Sequence, residues 1–168
     1  MPAGVSAYVP LANITLGSSV TSITFSSISG IYQDLILVAY VSSSSDGDFW
    51  VQFNNDTGSN YNTVTVGGNG TSAYSGLLNS GGGYNAIVVG GANFTTSDGI
   101  VKMNVLDYSA TDKHKTTLTR TDKASAGTEA SAGRWANTSA ITSLKIVQYN
   151  TARFFTAGST FALYGVSA

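Results

Sequence analysis

Apolar residues recur at alternate positions in segment after segment, the signature of β-strands with one face buried. Ile14 and Leu16 share a face in a first short predicted strand, and Ile23 and Phe25 do the same in a second. From Asp48 to Asn54 the alternation is clean, with Phe49, Val51 and Phe53 inward, Gln52 outward and Trp50 opposite the inward set. Tyr61–Val66 continues after a turn at Asn55–Gly58, and Ile100–Tyr108 places Val101, Met103 and Val105 on one face. Tyr84–Val89, a short strand around Arg134–Trp135, Leu144–Tyr149 and Thr160–Val166 follow the same rule. The stretch Ile31–Val41 is apolar at both parities, which predicts a central strand buried on both faces, or buried on one and covered by a neighbouring subunit on the other. Lys113–Thr121 alternates polar residues around Leu118 and reads as an exposed or edge strand whose lysines discourage edge-to-edge pairing. Residues 67–83 hold seven glycines and few large apolar side chains, and are expected to form a long loop with one helical turn.

These segments predict eight to ten antiparallel strands with no helical crossovers. The expected fold is all-β, a single antiparallel sandwich of jelly-roll type spanning residues 1–168. Its core should hold Leu35, Leu37, Phe49, Val51, Phe53, Val101, Val105, Leu144, Ile146, Phe161 and Leu163.

Composition sharpens this picture. Charged residues are only 10% of the chain, while serine, threonine, glycine and asparagine make up 74 of its 168 residues. Abundant aromatic and β-branched residues rule out reading that polarity as disorder. There is no cysteine, which excludes disulfides, thiolate metal sites and a cysteine nucleophile. One histidine, His114, excludes a multi-histidine metal site within one chain. The longest apolar run, Leu35–Val41, is far below the ~20 residues of a membrane helix. No Lys or Arg precedes Lys102, so no classical secretory signal is expected. With a net charge of −1, nucleic acid is not an expected partner. That charge is unevenly spread. Residues 1–101 carry five acids and no bases, and residues 102–168 carry eight bases and four acids. Complementary patches of this kind suit self-association.

Candidate chemistry is sparse. Asp56-Thr57-Gly58 matches the signature of aspartic proteases, which need two such aspartates. A single copy is expected to be a turn, with Asp56 bonded to its own backbone and Gly58 at positive φ. His114 lies between two lysines, and no serine has the Gly-x-Ser-x-Gly setting of a nucleophile elbow. Asp46-Gly47-Asp48 supplies too few oxygens for a calcium loop and reads as a turn. No catalytic residue, cofactor or metal is therefore expected. Trp50 and Trp135 are the candidates for stacking on a sugar or for filling an interface between subunits.

Two blocks carry a resemblance. One runs from Tyr32-Gln33-Asp34-Leu35-Ile36-Leu37-Val38 through Val51-Gln52-Phe53-Asn54-Asn55-Asp56-Thr57-Gly58-Ser59-Asn60-Tyr61 to Gly68-Asn69-Gly70. The other joins Ala140-Ile141-Thr142-Ser143-Leu144 to the segment Phe155–Val166. Together they resemble small β-sandwich structural proteins of tailed bacteriophages, found as capsid decorations and in tail fibres. The resemblance covers about half of the chain and brings no catalytic residues. It implies a module that works by assembling, commonly as a trimer. A capsid-surface decoration protein is the leading expectation, a tail-fibre or knob protein the second, and a lectin-like module the third. The expected partners are copies of the chain itself, the major capsid protein or another virion protein, and a host surface glycan. Neither nucleic acid nor a membrane is expected. The implied setting is the virion surface, after assembly in the host cytoplasm.

Overall fold

The computed structural model describes residues 7–45, 47–78, 85–94, 99–123, 127–148, 150 and 152–167. Among them are twelve strands and no helix. They are β1 (Tyr8–Thr15), β2 (Ser22–Phe25), β3 (Asp34–Val41), β4 (Gly47–Phe53), β5 (Tyr61–Gly68) and β6 (Ala73–Leu78), followed by β7 (Ile87–Phe94), β8 (Gly99–Leu106), β9 (Lys115–Lys123), β10 (Gly127–Trp135), β11 (Leu144–Gln148) and β12 (Thr160–Val166). Tyr84 and Tyr149, expected at strand ends, lie outside the described residues, as does Asp46.

Every pairing of these strands is antiparallel. One sheet has the order β1-β12-β3-β8-β9-β10-β5-β6 and the other β2-β11-β4-β7. Eight of the strands form a jelly roll: β1-β12-β3-β8 belong to one layer and β2-β11-β4-β7 to the other, with the chain passing back and forth between them. The count exceeds the expected eight to ten, and the strand with no counterpart among the predicted segments is β6, within the glycine-rich stretch. The four strands beyond the jelly roll form two added hairpins. β5–β6 is inserted between β4 and β7, and β9–β10 between β8 and β11. Both extend the larger sheet beyond β8.

All eleven expected core residues are buried in one apolar cluster. Leu35 and Leu37 of β3 face Phe49, Val51 and Phe53 of β4 across the layers, as period-2 alternation requires. Leu144 and Ile146 fill the same space from β11, and Phe161 and Leu163 from β12. Edge contacts of Phe155 with Phe49 and Phe161, at ring separations of 5.8 and 5.3 Å, close one end.

Two local expectations are corrected. The described part of the glycine-rich stretch, residues 67–78, is not a helical loop. β5 runs on to Gly68, and the chain turns at Asn69–Ser72, where Gly70 takes φ +87° and the Asn69 side chain accepts from the backbone of Thr71 and Ser72. Residues around Lys113–Thr121 are no edge either, because β9 is paired on both sides, with β8 and β10. Its Lys115 is buried. A lysine read as an edge guard is in fact a buried structural group at the start of an inner strand.

The added hairpins invert the usual polarity. Their inner face, over which β7 packs, carries buried Thr63, Thr65, Thr117, Thr119, Thr121, Glu129 and Ser131. Their outer face carries Val64, Val66, Leu77 and Leu118, all exposed. Gly133 allows β7 to approach. A Cβ there would meet Ile87 at 2.8 Å and Thr117 Oγ1 at 2.5 Å. The Thr63 hydroxyl accepts from the Val88 amide at 3.2 Å, satisfying a donor on the edge of β7.

Candidate interaction surface

Trp135 ends β10 opposite Lys115 of β9 and Tyr61 of β5. It is only 1% exposed, so it cannot serve as an open platform for a sugar, which corrects the sequence-based candidate. Its ring stacks on Tyr61 at 6.2 Å and packs against Phe53 at 5.6 Å. Its indole Nε1 donates to Asp56 Oδ2 at 2.7 Å. The same carboxylate accepts from the Gly58 amide at 2.8 Å and from Asn60 Nδ2 at 2.9 Å. Burial opposes the charge of Asp56, but these donors, together with Asn137, outweigh it and hold the carboxyl below its usual pKa. Asp-Thr-Gly is thus a turn, but Gly58 does not supply the positive φ; Asn54 and Asn55 do, at 52° and 55°.

Asn54 ties the two resemblance blocks together. Its Oδ1 accepts from the amides of Thr142 and Ser143, and its Nδ2 donates to the Ala140 carbonyl at 2.8 Å. Beneath this corner the Lys115 ammonium donates to the carbonyls of Lys113 and Thr138, at 2.9 and 3.1 Å. Burial lowers its pKa, since desolvation disfavours the charged form. These contacts make the corner a rigid support.

Trp50 lies on the solvent side of the smaller sheet, half-buried, with Val147 and Val88 as its cross-strand neighbours. The two tryptophans are therefore not brought together: one belongs to the core and the other to the opposite layer. His114 is exposed in the turn before β9, where Lys113 forms an ion pair with Asp107 at 3.1 Å. Among the described residues, no three His, Asp or Glu side chains gather as a metal site would require.

The surface that stands out is the outer face of the larger sheet. Residues directly opposite each other in register share a face. Across β3, β8, β9, β10 and β5, one such row reads Val38, Lys102, Arg120, Ala130, Val66. The next reads Ile36, Asn104, Leu118, Ala132, Val64 and ends on Leu77 of β6. Leu118 is 60% exposed and Val64 53%. Leu106 and Ile100 of β8 add exposed apolar surface in the rows on either side of these two. A trough of about 570 Å³ crosses the face, lined by Val64, Leu77, Leu106, Leu118 and Ala132 with Asn62 and Arg134 at its rim. Sequence reading missed this face because a strand of polar residues around Leu118, read as exposed or edge, does not show which parity points inward. The available signal was Tyr61 and Trp135. Once both point inward, period 2 places Thr63, Thr65, Ser131 and Gly133 inside and the valines outside.

No family model matches the sequence, and no curated protein matches it. Among solved structures, the galectin LEC-6 of Caenorhabditis elegans is similar over 93% of this chain and 96% of its own, at 9% identity and a TM-score of 0.38. A tail fiber protein from a phage of E. coli is similar over 96% of this chain but only 22% of its own, at 13% identity and a TM-score of 0.34. Both likenesses are too loose to bear on function.

Proposed function

We propose that this is a non-enzymatic structural protein of a bacteriophage virion, assembled in the host cytoplasm. In this reading it acts as a homo-oligomer, most simply a trimer, seated on the capsid surface. The observation that supports it is the inverted polarity of the added hairpins: threonines inside, valines and leucines outside. A lone domain gains nothing by exposing Val64, Val66, Leu77 and Leu118 on one flat face, and contiguous apolar patches of that kind mark contact surfaces. The face is broad enough. Eight strands spaced ~4.8 Å apart and four rows ~7 Å apart give roughly 800 to 1,000 Å², close to the ~800 Å² each partner contributes to a stable interface. Such a face suits a subunit lying flat against a neighbour or a shell better than a shaft, which would need a coiled-coil seam or a long repetitive β region.

Binding of the recombinant protein to phage particles stripped of it tests the reading. Wild type is expected to rebind to capsids, and the variant Val64→Lys/Leu118→Lys to fail while remaining folded. Binding confined to isolated tails would move the protein to a fibre, and no binding to any part of the particle would refute the proposal.

A further inference from the structure

The turn that joins β5 to β6 is Asn69-Gly70-Thr71-Ser72, and it holds the chain's one Asn-Gly pair. All four residues are exposed. The Asn69 side-chain carbonyl accepts three bonds: from the amides of Thr71 and Ser72 at 3.0 and 2.8 Å, and from the Thr71 hydroxyl at 2.9 Å. Donors gathered on one oxygen draw electron density from its carbon and are placed to stabilise an oxyanion there. Among the described residues, the Gly70 amide donates to no acceptor, and neither does Asn69 Nδ2. A Cβ on Gly70 would meet nothing within 4 Å, so the space beside this peptide is open. Asn137 and Asn150 form turns of the same kind, each accepting from the amide two residues on. Both are followed by threonine, whose branched side chain crowds the intervening nitrogen. Every asparagine other than Asn69 precedes a residue with a side chain.

We propose that Asn69 is a site of spontaneous self-modification, at which the chain exchanges a neutral amide for a carboxylate. The Gly70 nitrogen gives its proton to a solvent base and attacks Asn69 Cγ. A bond forms between these two atoms and the bond from Cγ to Nδ2 breaks. Nδ2 takes a proton from water and leaves as ammonia. Water then opens the cyclic imide at either carbonyl, its hydroxyl going to the carbon and its proton to the nitrogen. One opening gives aspartate at position 69, and the other gives isoaspartate, with the main chain routed through the former side chain. The aspartate form keeps the turn, since a carboxylate is a stronger acceptor for the same amides. The isoaspartate form lengthens the backbone between Gly68 and Ala73, which face each other in register, and so loosens β6. Either form adds one negative charge to the net −1 of the chain. The inference does not rest on the assembly reading, because the turn lies outside the apolar trough.

Peptide mapping by mass spectrometry tests it, on the full chain aged in buffer at neutral and at mildly alkaline pH. Asn69 should convert ahead of every other asparagine, Asn137 and Asn150 included, and faster at the higher pH because the attacking amide must lose its proton. Thr71→Val keeps both amides but removes the hydroxyl donor, and should slow the conversion about two- to tenfold. Gly70→Ala should slow it as well, by crowding the attacking nitrogen. An Asn69 that stays intact in the folded chain would overturn the proposal, and its conversion in urea alone would show that the turn shields the amide. Conversion of Asn137 or Asn150 at the same rate, or a Thr71→Val variant as fast as wild type, would overturn it too.

Discussion

Asp56 keeps its charge because four donors surround it, and that arrangement makes a specific demand on pH. A carboxyl whose folded pKa lies below its unfolded value near 4 contributes stability above that value and loses it as pH falls through the folded pKa. Asp56→Asn should therefore cost about 1–3 kcal/mol at neutral pH, and the difference from wild type should shrink steadily below pH 4. Urea denaturation at a series of pH values measures it; a constant difference down to pH 2 would mean that the charge is not what the corner uses. Trp135→Phe keeps most of the packing but removes the 2.7 Å bond to the carboxylate, and should show the same pH trend. The sequence allowed Asp56 to be read as a turn residue, because one Asp-Thr-Gly cannot form a protease dyad. It did not allow Trp135 to be seen as the partner of Asp56. That pairing spans 79 positions and depends on β10 lying beside β5.

At the level of elements, legibility followed chemistry. Strands β4, β8, β11 and β12 announce their inner faces through Phe, Val, Leu and Ile at alternate positions. β5, β9 and β10 do not, because threonine is as much at home under β7 as on the surface. Thr65 Oγ1 and Thr121 Oγ1 reach carbonyls of the neighbouring strand at 3.4 Å. Tyr74 was hidden for a related reason, since glycines on either side disguised β6 as a loop. Its phenol donates to Glu129 at 3.0 Å, and burial with that bond pushes its pKa up to about 12. The contact of β7 with the added hairpins rests on the absence of a side chain at Gly133. Gly133→Val should destabilise the domain by about 2–3 kcal/mol through overpacking against Ile87. A thermal melt followed by circular dichroism checks this, and an unchanged midpoint would show that β7 is not seated where described.

For the whole molecule, the jelly roll explains the core and the added hairpins explain the surface. The eight-stranded core was within reach of the sequence. Of the four added strands, β5, β9 and the end of β10 were legible too, and β6 was not. The apolar outer face required knowing which parity of β5, β9 and β10 points in. The charge asymmetry along the chain becomes a local feature on that face: Lys102, Arg120 and Arg134 all project from it, with Asp122 at one end. The central claim is that a second copy of the chain covers the exposed Val64–Leu118 region. Light scattering coupled to gel filtration at micromolar concentration measures this directly. A mass near three times 17.3 kDa for wild type, falling to that of a monomer for Val64→Lys/Leu118→Lys with an unchanged β-sheet spectrum, is the predicted result. A monomer mass for wild type across the micromolar range would contradict it.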